Sequence, residues 1–269
     1  MANTPSNNVD HLVNYKTPLY HKDFPIVFFY SFKSGCTSLL KWFFFQIGFT
    51  QEEIQQDPHK YFWGTYRRYH NDPEFKNQIL NKEKDMFKLV RNPYTRAVSS
   101  FLHTANAAFF ISQPDHPLCI EYEKMKKMFN TPNKPVDGIS FKQFLHYVKK
   151  AGPNRGAIDP HMIKQYMEGE EFYINNYVKL ESFSSEIRKI EEKYNLGHSP
   201  LSQIIKSPHH HSNKMALKKE FADTIITKEL LVGQLPTYKN FYDKETMDLV
   251  REIYQQDFEK YGYNAETLE

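Results

Sequence analysis

The chain has 269 residues, a formal net charge of +3 with neutral histidines, 22 Phe, 18 Tyr and two cysteines, Cys36 and Cys119. That length can bury a real core, and the aromatic content excludes a disordered chain. Near-balanced charge excludes a strongly basic nucleic-acid coat but permits a local basic pocket, and two cysteines make no disulfide framework.

Residues 1–23 are polar, with Pro5 and Pro18, and read as an N-terminal arm ahead of one domain spanning 24–269. No apolar run approaches the ~20 residues of a membrane span. Residues 26–30, Ile-Val-Phe-Phe-Tyr, are long enough for one buried strand and too short for a capped helix. Lys33 and Gly35 then break the pattern, and Leu39, Leu40, Trp42, Phe43 and Ile47 recur at near-helical spacing behind them. The stretch predicts strand, tight loop, helix. The first N–H groups of a helix lack partners within it, and the helix dipole adds partial positive charge there. Gly35 lets the backbone close on a ligand, Thr37 and Ser38 add hydroxyls, and Lys33 adds a full charge, which together suit a phosphate or sulfate group. The order is not that of a Walker A loop, whose Lys follows the second of two glycines.

Residues 51–84 read as short helices and loops and carry His59 and His70. Residues 86–90 predict a second strand. Pro93 then suits the first turn of a helix with Asn92 as its cap, leaving Arg91 at the carboxyl end of a strand, where open α/β sheets bind ligands. Residues 105–134 read as helix and then loop, 132–138 as a turn cluster, 141–150 as a helix and 152–160 as a loop. A third strand is expected at 177–180 and an amphipathic helix at 181–194, with Phe183, Ile187, Ile190 and Tyr194 facing inward. His209, His210 and His211 are adjacent in sequence, so they share no helix or strand face and suggest no metal site. Residues 238–263 give one helical face of packing residues. Alternating strands and long helices predict an α/β class.

Lys33-x-Gly35-x-Thr37-Ser38 after an aromatic strand resembles the 5'-phosphosulfate loop of sulfotransferases that use 3'-phosphoadenylyl sulfate (PAPS). Val90, Arg91, Asn92, Pro93, Arg96 and Ser99 resemble the 3'-phosphate motif of the same family, with Asn92 where Asp is frequent. His161-x-x-x-Gln165 resembles an element of its carbohydrate-type, family 2-like branch, with Met162 in place of the usual Trp and Lys164 in place of the usual Pro. The resemblance runs from about Phe24 to Tyr263. It implies a single P-loop-like sulfotransferase domain with a mostly parallel central sheet flanked by helices. It also implies PAPS as co-substrate, 3',5'-ADP as product, and no metal.

The donor-binding residues it implies are Lys33, Ser34, Gly35, Cys36, Thr37, Ser38, Arg91 and Ser99, with Lys33 also catalytic on the leaving oxygen. His70 is the first choice for the base that takes the acceptor's proton, with His59 and His161 as rivals. The expected acceptor is a glycan or another hydroxylated molecule. The alternatives are a small alcohol or phenol acceptor, an ATP-using P-loop kinase, and a non-catalytic nucleotide- or sulfated-ligand-binding module. A cytoplasmic location is expected, the alternative being a Golgi-lumenal domain separated from its anchor; no nucleic-acid partner is expected.

Overall fold

The computed structural model describes residues 12–13, 17–50, 52–53, 57–64, 66, 72–130, 138–206 and 214–268. In chain order the elements are β1 (Ile26–Tyr30), α1 (Cys36–Gln46), α2 (Pro58–Gly64), α3 (Pro73–Leu80), β2 (Asp85–Val90), α4 (Pro93–Phe110), α5 (Pro117–Phe129), α6 (Phe141–Ala151), β3 (Asn176–Lys179), α7 (Phe183–Lys193), α8 (Leu201–Ile204), β4 (Met215–Leu217), α9 (Lys228–Val232), β5 (Leu235–Pro236), α10 (Lys244–Ile253) and α11 (Gln255–Tyr261). The expected α/β class, parallel strands flanked by helices, is what the chain forms. Backbone packing divides it into two compact units, one of residues 1–91 and 166–208, the other of 92–165 and 209–269. None of the described helices is long and apolar enough to cross a membrane.

The first unit is built on a parallel sheet in the order β1-β2-β3, with Phe28 opposite Phe87 and Leu89 opposite Val178. Side chains alternate faces along a strand, so Ile26, Phe28 and Tyr30 join Trp42, Phe43, Phe183 and Ile187 in one core. Val27 and Phe29 face the other way, into a core with Tyr20, Phe75 and Ile79. Both faces are therefore covered, which explains why the strands read as unbroken apolar runs rather than as alternating ones. Buried Glu191 of α7 accepts from Trp42 Nε1 of α1 at 2.9 Å and from Gln46 Nε2 at 3.1 Å, tying the two helices on that face. Part of the expected arm is bound in: Leu19 and Phe28 exchange backbone hydrogen bonds of 2.8 and 3.0 Å in an antiparallel bridge on β1.

One charge breaks the apolar pattern. Lys88 sits in the central strand, opposite Phe29, and is fully buried. Its ammonium donates to Glu170 Oε2, also fully buried, and the same oxygen accepts the Met167 N–H at 3.1 Å. Burial, and next the Glu170 charge, push the Tyr177 phenol up from its ordinary range.

In the second unit, α4 opens as its sequence predicts: Pro93 takes the first turn and the Asn92 side chain accepts the Tyr94 N–H at 2.9 Å. Phe101 of α4 packs against Phe141, Phe144 and Phe241, with ring centroids 5.6–6.2 Å apart. The stretch after α4 differs from the expected loop, because residues 117–129 form α5. Pro117 starts it, and His116 caps it by accepting the Leu118 N–H at 3.2 Å, a role that the Ser/Thr/Asp/Asn rule does not anticipate. The turn cluster at 132–138, apart from Gly138, and the three adjacent histidines lie outside the described residues.

Candidate active site

β1 and β2 are parallel neighbours, with Tyr30 opposite Leu89, so the segments that follow them leave from the same edge of the sheet. After β1 the chain turns at once. The Ser31 carbonyl accepts from the Ser34 N–H at 3.4 Å, the Ser34 hydroxyl at 2.6 Å and the Cys36 thiol at 3.1 Å. Two residues of the turn, Lys33 and Gly35, have left-handed φ values of 65° and 94°. For Lys33 this is an uncommon backbone state, of the kind found where structure over-determines a loop. The over-determining contact comes from β2: Arg91, the residue just past that strand, donates from Nη1 to the Lys33 carbonyl at 3.1 Å.

The loop delivers α1 with its N-terminus open. Gly35 is the cap residue and supplies no side-chain hydrogen bond, and the first turn holds no acidic residue. Positive dipole and N–H donors therefore point out of the loop, and the first turn of α1 adds no carboxylate to oppose an anion. The Ser34 and Cys36 side chains and the Ser34 N–H are turned inward to Ser31, so what Cys36 offers a ligand is its backbone N–H. Ser38 is buried, whereas Thr37 is half-exposed and its hydroxyl lies 2.9 Å from His59 Nε2 of α2. These residues fit a phosphate: a curled backbone, an uncapped helix start, a Lys, an Arg and a hydroxyl meet at one sheet edge.

Gly35 is needed at its position for two reasons. A Cβ there would stand 2.4 Å from Leu180 Cδ1, just past β3, and φ is +94°. Leu180 can swing aside, but the backbone state cannot be relieved. Gly35→Ala is expected to lose about 1–2 kcal/mol of stability and to weaken nucleotide binding. Chemical denaturation and a thermal-shift titration with 3',5'-ADP check both.

Of the expected site residues, the structure thus brings Lys33, Ser34, Gly35, Cys36, Thr37, Ser38 and Arg91 together within the first unit. Ser99 belongs to the second, on α4, where it is 6% exposed. Arg96, the other arginine of that motif, is buried with its guanidinium 5.8 Å from the Tyr254 ring centre, a packing role in that unit. Gln165 of the His-x-x-x-Gln element is fully buried on Asp257: its backbone N–H donates to both carboxylate oxygens at 2.9 Å and its Nε2 to Oδ2 at 3.4 Å. His161 stands in an unanticipated group. Its Nδ1 is 2.7 Å from Asp159 Oδ1, and its ring centre is 4.6 Å from that of His103 on α4. His70 lies outside the described residues. Asp159 and His103 carried no sequence signal of their own, and only the spacing Asp159-x-His161 could have suggested a pair.

A family model described as the sulfotransferase family matches residues 18–264. This chain belongs to that family. No curated protein and no solved structure matches it.

Proposed function

We propose that this sulfotransferase moves a sulfuryl group from PAPS to a hydroxyl of a glycan or another hydroxylated acceptor. The observation that carries the reading is the Lys33–Gly35 loop, curled by left-handed backbone, tethered by Arg91 and opening on an uncapped helix start. Sulfuryl transfer, like phosphoryl transfer, asks the protein for positioning and charge stabilisation more than for covalent chemistry. Thr37, Ser38 and the N–H groups of Gly35 and Cys36 are assigned to the 5'-phosphate. Arg91 and Ser99 are assigned to the 3'-phosphate, and a guanidinium can grip two of its oxygens at once.

In the reaction the acceptor oxygen forms a bond to sulfur as the bond from sulfur to the bridging oxygen breaks. The electron pair stays on that oxygen, where the Lys33 ammonium meets it, and 3',5'-ADP leaves. The acceptor's proton goes to a base. His70 was expected in that role, but the bond between His59 and Thr37 supports His59, because it sets an imidazole beside the donor loop. Both cysteines are free and buried, which agrees with a cytoplasmic location. The test is transfer from labelled PAPS to a panel of glycans and phenols, run across pH. Transfer is expected, with an acidic limb in the rate profile that His59→Ala removes. Tight 3',5'-ADP binding without transfer to any acceptor would instead make the protein a nucleotide-binding module.

A further inference from the structure

Thr37 and His59 meet at the start of α1, where the donor loop opens. Thr37 lies in the first turn of that helix and is half-exposed, with its Oγ1 2.9 Å from His59 Nε2. The histidine is held there from its own helix. Asp57 Oδ1 accepts the His59 N–H at 3.0 Å and the Lys60 N–H at 3.3 Å at the start of α2. Fully buried Phe62 sets its ring centre 6.5 Å from that of Tyr30 at the end of β1, and Tyr61 packs edge-on against Phe44 of α1 at 5.4 Å. All of these groups belong to the first unit.

A threonine hydroxyl has one hydrogen to give and two lone pairs with which to accept. Toward His59 it can do either. A dianionic 5'-phosphate at the start of α1 only accepts, so it takes the hydroxyl's hydrogen. The bond to His59 then persists only with a hydrogen on Nε2. We propose that Thr37 couples the proton of His59 to the filling of the donor loop, so that nucleotide binding favours the protonated imidazole and product release returns that proton to solvent. This rests on the PAPS reading of the preceding section, and it asks for no contact between His59 and the nucleotide.

The charges around the imidazole give the sign. Lys33 and Arg91 meet in the loop, and Lys41 lies one turn beyond Thr37 on the same face of α1. The Lys41 ammonium donates to the Lys206 carbonyl at 3.2 Å, and burial holds its pKa below the usual lysine range. These cations, Lys60 beside it and the α1 dipole disfavour a second proton on His59, whereas Asp57 favours one. A bound phosphate offsets the cations, so protonation becomes more favourable once the loop is filled. Affinity should therefore rise as pH falls through the imidazole range. The phosphates' own second protons act in the opposite sense, so the comparison must be between wild type and variant. In turnover the acceptor's proton reaches His59, stays beside 3',5'-ADP and leaves as it does. The same link places the acidic limb of turnover at a higher pH than the titration of His59 without nucleotide.

The experiment follows the His59 ring by NMR in the full chain from pH 6 to 8, with and without saturating 3',5'-ADP, the signal being assigned by its loss in His59→Gln. Its titration should move to higher pH on saturation, and in the complex Nε2 should carry a hydrogen at every pH. Calorimetry reads the same link as affinity: the advantage of wild type over His59→Gln should grow about tenfold from pH 8 to pH 6, the scale of one opposite charge at close range. Thr37→Ser should keep the coupling, and Thr37→Val, which matches threonine in shape, should lose most of it. A His59 titration that ignores the nucleotide overturns the proposal. So does a Thr37→Val protein with the full movement, because the phosphate then acts without the hydroxyl. If Thr37→Val fails to fold, the Nε2 hydrogen in the wild-type complex still decides, and a bare Nε2 lone pair there refutes the link. Absence of 3',5'-ADP binding at any pH overturns the PAPS reading itself, and this coupling with it.

Discussion

Lys33→Ala is expected to lower the rate of sulfuryl transfer by about 10³-fold, the scale of removing a preorganised charge from a developing oxyanion. The folded protein should barely register the change. The Lys33 backbone already has φ 65°, and alanine inherits that state at no added cost. A contact that holds it there, from Arg91 Nη1 to the Lys33 carbonyl at 3.1 Å, uses only the main chain of Lys33 and survives the substitution. Melting temperature should stay within about a degree or two of wild type, as for a surface change that removes no packing. Single-turnover transfer from labelled PAPS reads the first quantity and calorimetry the second. A variant with the normal rate would remove Lys33 from the leaving oxygen. A variant that also unfolds would mean that the ammonium, and not the carbonyl, anchors the loop.

The largest effect on stability is expected at Lys88→Ala. Lys88 and Glu170 are both fully buried and bonded to each other. Removing the ammonium leaves a carboxylate in a core with no cation to answer it, at a cost of about 3–5 kcal/mol. The pair as a whole contributes much less than that, since desolvation offsets most of its attraction. The double variant Lys88→Met with Glu170→Gln should therefore recover most of the loss, and urea titration distinguishes the two cases.

Much of this could be read along the chain because the signals were local. The Ile26–Tyr30 strand, the Asn92–Pro93 helix start and the strand at Asn176–Lys179 were each announced by an apolar run or a cap within a few residues. What escaped depended on partners far away in sequence. Lys88 lies inside the apolar run of residues 86–90 with no local partner to explain it, and its meaning lies 82 residues on, at Glu170. His59 could be named only as a rival to His70 until α2 set it beside Thr37. His103 gave no hint at all, since nothing in a helix repeat tells a solvent-facing imidazole from one stacked on a residue 58 positions later, as 161 − 103 shows. The α5 helix was missed for a local reason instead: its cap is a histidine.

The Ser31 carbonyl, with three donors of its own loop closing on it, has a kinetic corollary. A receptacle already bent to shape has little ordering entropy left to lose when its guest arrives. Encounter should then be limited by diffusion and orientation, and competing nucleotides should differ chiefly in how long they stay.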